Sequence, residues 1–299
     1  MNPFFTIVVP VFNRAEIIGS ALESVFAQEF SDFEVIVVND GSTDNSTGVL
    51  REKFGTRDNL RIIDQENKER GAARNTGFRN SRGNYVVFFD SDDLMHPGHL
   101  ALLKEKIDEL NNPDFIATRF EFLDENGRRF ASGMAKVKEG FHDYHLFLEG
   151  NPLACNVCVR RENPRLVLFE EDRKYAIKED WMFLIANARN SPIYVIGQVS
   201  ITMRDHAKRS MRSESGVMTA RTFLAGEWIR KNVDLSSHDI KRLNAHLHYF
   251  SAIHCYLENR KLQALHHVMK ATSLMGIRIK YLTLAVKALL GRNIVSRLK

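Results

Sequence analysis

The chain has 299 residues, of which 44% are hydrophobic and 26% are charged, and its formal net charge is +5. This composition is that of a folded protein with one large core or two smaller ones and argues against a disordered chain. No apolar run reaches the length of a membrane-spanning helix, and MNPFFTIVVPVFNR has no basic segment before its apolar run, so we expect neither a transmembrane helix nor a secretory signal.

The charge is unevenly distributed along the chain, and the cysteines are few. Residues 1–203 carry 24 Lys and Arg against 31 Asp and Glu, whereas residues 204–299 carry 18 against 6. The three cysteines lack the spacing of a disulfide framework, which favours a cytoplasmic location. Cys155 and Cys158 form a C-x-x-C pair, but no second pair or nearby histidine completes a zinc site. We interpret both as packing residues in a strand over residues 154–159.

Strands and helices alternate through the first 110 residues. Runs of β-branched and aromatic residues, typical of buried parallel strands, lie at residues 4–11, 33–38, 60–63 and 85–89. Apolar residues at helical spacing predict helices over residues 15–28 and 97–110. This alternation predicts an α/β fold with a doubly wound, mostly parallel sheet flanked by helices.

The pattern changes after about residue 113. FIATRFEFLDENGRRF predicts a strand, a turn and a strand, and further along the chain a helix is predicted over residues 179–190 and a strand over 193–197. From about residue 217 the chain is helical. We therefore expect a first unit of residues 1–215, with halves of about 1–112 and 113–215, and a helical, basic C-terminal region of residues 216–299.

Three of the predicted strands end in polar residues: Pro10 to Arg14, Asn39 to Asp44, and Asp90 to Asp93. In doubly wound sheets, ligands bind at the carboxyl ends of the strands. Asp40 could accept hydrogen bonds from a ribose or base, and Asp44 could cap a helix. Asp90 and Asp92 are hard oxygen ligands that suit Mg²⁺ or Mn²⁺, which in turn suggests a phosphorylated ligand. The alternative is a solvated turn in which Asp93 caps the next helix.

The segments VVPVFNR, VVNDGSTDNS, RGAARNTG and FFDSDD, in this order and spacing, resemble the motifs of the inverting family 2 glycosyltransferases of GT-A fold. The resemblance is strong over residues 4–100 and looser over 101–210. It implies a Rossmann-like sheet, a donor half and an acceptor half in residues 1–215, and a nucleoside diphosphate sugar as donor, with UDP-sugar preferred.

The resemblance also assigns residues to the donor. Pro10, Phe12, Asn13 and Asp40 would line the uridine pocket, with Phe12 where the family commonly has tyrosine. A second group would place the nucleotide-sugar: Arg70, Gly71, Arg74 and Asn75. The alternative for this second group is an exposed helix start.

Asp90 and Asp92 would contact the sugar or ribose and the Mn²⁺ or Mg²⁺ that bridges the diphosphate. His206 would reach the metal or the diphosphate, beside four basic residues that could clamp phosphates: Arg204, Lys208, Arg209 and Arg212. The alternative for His206 is a surface histidine. Asp180, in an acidic-acidic-aromatic motif, is the candidate general base; the alternative is that Glu179 and Asp180 only complement a helix N-terminus.

The predicted activity is transfer of a sugar, with inversion, to a hydroxyl of a glycan or lipid-linked glycan in cell-surface polysaccharide synthesis. One alternative is a non-catalytic nucleotide-sugar-binding module of the same fold. Another is a phosphotransferase of the haloacid dehalogenase type, whose nucleophilic aspartate normally follows the first strand rather than the fourth.

The C-terminal region carries nine basic residues and no acidic residue after Glu258, with apolar residues between them. Such a basic amphipathic segment predicts peripheral association with an anionic membrane, on the inner face of the cell membrane. The alternative is a helix packed on the catalytic domain or on a second subunit. No recognition motif indicates nucleic acid.

Overall fold

The computed structural model describes residues 2–205 and 215–291. The strands in these ranges are β1 (Phe5–Val11), β2 (Phe33–Asp40), β3 (Leu60–Gln65), β4 (Tyr85–Phe88), β5 (Leu94–Met95), β6 (Phe115–Asp124), β7 (Arg129–Ala131), β8 (Gly140–His142), β9 (Val157–Arg160) and β10 (Ile193–Asp205). The helices are α1 (Ile18–Phe26), α2 (Ser46–Phe54), α3 (Glu69–Arg79), α4 (His99–Glu109), α5 (Glu179–Asn190), α6 (Ser215–Asn232), α7 (Ser237–Leu257), α8 (Lys261–Met275) and α9 (Ile279–Leu290).

One sheet organises the fold, with strand order β3-β2-β1-β4-β9-β6-β10-β5, while β7 pairs with β6 and β8 pairs with β10. Pairing is parallel from β3 through β4 and again between β6 and β10, and β9 runs antiparallel between these two groups. Most of the paired residues lie in parallel pairs. The predicted α/β class with a mostly parallel, helix-flanked sheet is confirmed.

The central strands are buried on both faces, which is why they are apolar without alternation. Every residue of β1 and β2 is buried, and Phe5 of β1 aligns with Phe33 of β2 and with Tyr85 of β4. The polar residues that follow these strands therefore emerge together at one edge. The sheet thus brings three separate segments of the sequence to a single site.

The C-terminal helices do not pack as a separate body. Ala225 and Ile229 of α6 and Leu243 and Leu247 of α7 belong to the same buried core as the sheet. A second, smaller core joins the later part of α7 to α8 and α9, and Tyr281 lies in it. Helices α6 and α7 therefore lie between the sheet and the last two helices, α8 and α9.

The strand predicted at residue 154 and the capping role considered for Asp93 differ from the structure. The strand predicted over residues 154–159 is formed only by Val157–Arg160, because Ala154 has a φ of 52°, which a strand cannot contain. Asp93 does not cap the helix that follows it, since α4 begins at His99 and Gly98 is its N-cap residue. Cys155 and Cys158 are buried and unpaired, in keeping with a packing role.

Candidate active site

A cleft of about 1500 Å³ lies at the carboxyl ends of β1, β2 and β4. Its walls come from the loops after these strands, the start of α3, the segment before α5, and α6 and α7. Nine of the residues predicted from the sequence line it: Pro10, Phe12, Asn13, Asp40, Arg70, Arg74, Asp90, Asp92 and Asp180. Asn75 is absent from this lining, and His206, with Lys208, Arg209 and Arg212, lies outside the described residues.

Phe12 and Asn13 form the end of β1 in the cleft. The Phe12 side chain is 45% exposed, so its ring offers a stacking surface to a planar ligand group. Asn13 has a φ of 52°, and its Oδ1 accepts hydrogen bonds from the backbone N–H groups of Thr43 (2.8 Å) and Asp44 (3.3 Å). Asparagine tolerates this left-handed conformation better than most residues. Asn13 therefore fastens the β1 loop to the β2 loop and holds Phe12 in place.

Asp40 ends β2 with a carboxylate that is 3% exposed. Its Oδ1 accepts hydrogen bonds from Gln65 Nε2 (2.7 Å) and from the backbone N–H of Lys68 (2.8 Å). Two donors on one oxygen fix the orientation of the carboxylate in the cleft wall. A fixed acceptor of this kind suits the hydroxyl or N–H donors of a nucleoside.

Arg74 is a buried cation that joins the two halves of the site. Its side chain is 1% exposed, its Nη2 donates to Asp90 Oδ1 at 2.6 Å, and its Nη1 donates to Glu179 Oε1 at 3.0 Å. Arg70 also approaches Glu179 Oε1, at 3.4 Å, and is 32% exposed at its side chain. The pair Arg74–Glu179 therefore sets the position of Asp90 relative to the start of α5, where Asp180 follows.

The hydrogen bonds of the Asn75 side chain join it to neighbouring protein groups outside the cleft. Its Nδ2 donates to the Phe169 carbonyl and to Glu171 Oε1, both at 2.8 Å, and its Oδ1 accepts from the Phe169 N–H at 3.0 Å. The residue is 1% exposed. Asn75 therefore ties α3 to the segment around Phe169, and we assign it a positioning role.

Replacing Asn75 with leucine is expected to lower the free energy of unfolding by about 2–3 kcal/mol, because buried backbone groups of Phe169 lose their partners. The matched control is Arg79→Gln, since Arg79 also contacts Glu171 (2.9 Å) but is 55% exposed and should cost less than about 1 kcal/mol. Urea unfolding measures both. A loss of UDP affinity in Asn75→Leu, with unfolding unchanged, would restore the direct binding role.

Three carboxylates after β4 lie close enough to share one cation. The ligand oxygens of Asp90, Asp92 and Asp93 are all within 4.8 Å of one another. Arg14 Nη2 lies 3.6 Å from Asp92 Oδ2, so positive charge already reaches this cluster from two sides. Oxygen donors at this spacing fit Mg²⁺ or Mn²⁺, which relieves the repulsion between the carboxylates.

Asp180 is held in the first turn of α5. Its Oδ2 accepts from Asn151 Nδ2 at 3.0 Å, and its Oδ1 accepts from the Trp181 N–H at 2.7 Å. Burial raises the pKa of Asp180 to about 6, and the neighbouring Glu179 charge adds to this, while Arg74 and Arg70 oppose it. A carboxylate with a pKa near neutrality is suited to take a proton and release it again.

The backbone around the cleft is strained. Within residues 2–205 and 215–291, seven non-glycine residues have positive φ, and four of them line the cleft: Asn13, Glu69, Ala154 and Ile177. Ile177, at 76°, is β-branched, which makes this conformation especially costly. It directly precedes the segment that carries Asp180. Strain of this kind persists where the surrounding packing imposes it, and it concentrates at functional sites.

The lining of the cleft also includes Arg14, Lys178, His246 and Phe250, none of which is assigned a role from the sequence. The Lys178 side chain is buried, with its Nζ 4.4 Å from the centre of the Phe250 ring. Burial, aided by the charge of Lys280, lowers the pKa of His246 to about 4, so this histidine is neutral at pH 7. Proximity to Asn13 and Asp180 in the sequence could have indicated Arg14 and Lys178. Nothing in the pattern of α7 distinguishes the other two from ordinary packing residues.

The fold and the cleft define an α/β protein of the GT-A class. The structure of S. aureus TarS 1–349 in complex with UDP-GlcNAc has a similar fold, with a TM-score of 0.68 at 23% identity over 92% of this chain and 81% of that one. The mannosyltransferase PcManGT from Pyrobaculum calidifontis, in complex with GDP-Man and Mn²⁺, gives 0.59 at 18% identity over 99% and 83%.

Residues 6–161 match the family Glycosyl transferase family 2, and the chain belongs to this family. Glycosyltransferase GlyA of Streptococcus pneumoniae serotype 4 is 37% identical over 122 residues, which are 41% of this chain and 18% of GlyA. The matched segment is thus less than a fifth of that relative's length. The resemblance inferred from the four sequence motifs is confirmed at the level of family and fold.

Proposed function

We propose that this chain is an inverting, metal-dependent glycosyltransferase that transfers a sugar from UDP to a hydroxyl of a glycan or lipid-linked glycan. One observation carries the proposal: a single cleft is lined by the aromatic ring of Phe12, the acceptor group of Asp40, the carboxylates of Asp90 and Asp92 and the half-buried carboxylate of Asp180. Similarity to a protein bound to UDP-GlcNAc supports the choice of a UDP-sugar.

In this proposal the nucleotide lies between the β1 and β2 ends. Phe12 stacks on the uracil, Pro10 and Asn13 shape its pocket, and Asp40 accepts from the nucleoside. Arg14 and Arg70 offer positive charge for the diphosphate. Arg74 is a positioning residue that does not contact the nucleotide. Its contacts to Asp90 and Glu179 fix the distance between the metal-binding carboxylates and the start of α5.

Asp180 acts as the general base. Its carboxylate takes the proton of the acceptor hydroxyl as that oxygen attacks the anomeric carbon from the face opposite the diphosphate. The new glycosidic bond forms while the bond from the anomeric carbon to the diphosphate oxygen breaks, and UDP departs with the bonding electrons. A single displacement of this kind inverts the configuration.

The proposed metal site consists of Asp92 and Asp90, with Asp93 beside them and His206 as a further predicted ligand. A bound Mn²⁺ or Mg²⁺ would neutralise charge on the diphosphate as it leaves. Similarity to a mannosyltransferase in complex with Mn²⁺ supports a divalent ion in this class of fold.

A thermal-shift and calorimetric panel tests the donor. UDP and UDP-sugars with Mn²⁺ or Mg²⁺ are expected to raise the melting temperature by a few degrees, since a ligand at 100 times its Kd stabilises by about 2.7 kcal/mol. GDP, CDP and ADP, and every nucleotide in EDTA, should give smaller shifts. Equal shifts for all nucleotides, or none, would contradict the assignment of donor and metal.

Turnover separates the proposal from its alternatives. A non-catalytic module would bind UDP with metal but release no UDP from a UDP-sugar in the presence of acceptor glycans. Two observations argue against the haloacid dehalogenase alternative. The chain belongs to Glycosyl transferase family 2, and its acidic cluster follows β4 rather than the first strand.

We further propose that the enzyme works in the cytoplasm, peripherally on the inner face of the cell membrane, in cell-surface polysaccharide synthesis. The basic C-terminal region supports this location because it complements an anionic bilayer. No helix in residues 2–205 or 215–291 has the length and hydropathy to cross a bilayer. We keep the division into a donor half (1–112), an acceptor half (113–215) and a helical region (216–299) as part of the proposal.

A further inference from the structure

Helix α9 is apolar on two opposite faces. Tyr281, Leu284 and Ala288 are buried against α7 and α8. The other face consists of residues at helical spacing that are 40–85% exposed: Ile279, Leu282, Val286, Leu289 and Leu290. Ile277, just before the helix, is 76% exposed. We call these six residues the outer face of α9.

An outer face of this kind is costly in water. Scattered exposed apolar residues are ordinary, but a continuous row along a helix marks a surface that another apolar medium covers. Helix α9 has 12 residues and is about 18 Å long, which is too short to cross a bilayer but sufficient to lie in the plane of its interface.

The charge around this face selects the kind of partner. The sequence of residues 259–299 has nine basic residues and no acidic ones, of which Arg292, Arg297 and Lys299 lie outside the described residues, and Lys287 stands next to Val286 on α9 itself. A second copy of the chain docked through the same face would bring two such basic regions together, which like-charge repulsion opposes. An anionic lipid surface satisfies both the apolar row and the positive charge.

We propose that the outer face of α9 inserts into the headgroup region of an anionic bilayer and is the membrane-binding surface of the protein. This inference deepens the membrane location given above and rests on that part of the proposed function. Leu282 and Val286 enter the acyl boundary, and Lys287 lies at the level of the lipid phosphates.

The helix is firmly attached to the rest of the molecule. Glu149, in the cleft wall, accepts hydrogen bonds from Arg242 Nε of α7 (2.7 Å), from Arg278 Nη1 (3.0 Å) and from Lys280 of α9. These three donors hold the pKa of Glu149 at about 2, against the opposing effect of its burial. The carboxylate is thus charged at pH 7, and its three contacts join α7 and α9 to the wall of the cleft.

Vesicle flotation of the full chain tests the surface. The chain is expected to float with phosphatidylcholine vesicles that contain phosphatidylglycerol, and only weakly with pure phosphatidylcholine. The double variant L282S/V286S should lower the partition coefficient at least about 10-fold, since two apolar side chains leave the lipid. Lys287→Gln should lower it about fivefold.

The matched control is Phe141→Ser on β8, because Phe141 is as exposed as Leu282, at 54%, but is not on the outer face. It should float like the unchanged chain. Equal flotation of L282S/V286S and the unchanged chain would overturn the proposal. So would light scattering that shows a dimer which L282S/V286S converts to a monomer.

Calorimetry of UDP with Mn²⁺ on the same samples keeps the two proposals apart. Flotation without UDP binding would contradict the catalytic assignment and leave the membrane surface intact. UDP binding without flotation would contradict the membrane surface and leave the catalytic assignment intact.

Discussion

Replacing Asp180 with asparagine is expected to lower kcat of sugar transfer by about 10²–10⁴-fold while the affinity for UDP with Mn²⁺ stays within about twofold. General-base catalysis contributes a factor of this size, and an amide cannot take the acceptor proton. The asparagine oxygen can still accept from Asn151 Nδ2, and the loss of an acceptor is confined to the Trp181 N–H, so the cleft should keep its shape. Steady-state kinetics and calorimetry measure the two quantities.

The pH profile gives an independent test of the same assignment. Burial raises the pKa of Asp180 to about 6, so its carboxyl is protonated below that pH and cannot act as a base. Transfer should therefore rise tenfold per pH unit below pH 6 and level off above it. The acidic limb should be absent from the residual activity of Asp180→Asn.

The control for both experiments is Asp58→Asn, the same chemical change at an exposed residue outside the cleft. It should leave kcat and the pH profile unaltered. Full activity of Asp180→Asn would refute its role as the base. A loss of UDP binding equal to the loss of kcat would instead show that Asp180 holds the donor.

Replacing Asp92 with alanine is expected to abolish metal-dependent turnover, with kcat lowered by at least about 10³-fold, because the charge on departing diphosphate is no longer offset. Calorimetry should show UDP binding in Mn²⁺ reduced to the level that the unchanged protein has in EDTA. Asp92 is the better target than Asp90, because removal of Asp90 would also take away one of the two carboxylates that pair with the buried Arg74 and leave it only Glu179.

Asp58→Ala provides the comparison for this second prediction. Its UDP affinity should respond to Mn²⁺ as that of the unchanged chain does. If Asp92→Ala kept the full difference between Mn²⁺ and EDTA, the metal would have to bind elsewhere. If the difference in UDP affinity between Mn²⁺ and EDTA were unchanged but turnover were lost, Asp92 would instead be assigned to contact with the sugar.

Much of the fold follows from local patterns in the sequence. The strands β1 to β4 are predicted because burial on both faces requires continuous apolar runs, and α5 is predicted over its full length, Glu179–Asn190. The predicted first and last residues of other elements differ from those in the structure. Helix α1 begins at Ile18 rather than near residue 15, and the predicted strand at 154 is interrupted by the positive φ of Ala154.

The candidate site is predictable only in part, for a physical reason. Groups at strand ends meet because the sheet is parallel, and this brings Asp40 and Asp90 into one cleft. Asn75 sits in the same motif as Arg74, but its helical position turns it toward Phe169. His246 and Phe250 reach the cleft through packing of distant helices, and no local sequence pattern records that contact.

Helix α7 lines the cleft with residues that lie outside the segment matched by the family. The family match covers residues 6–161, which contain the proposed nucleotide pocket, whereas His246 and Phe250 of the opposite wall lie well beyond it. The two walls are thus encoded in separate stretches of the gene. A substitution at His246 or Phe250 therefore changes the lining of the cleft without changing any residue proposed to hold the nucleotide.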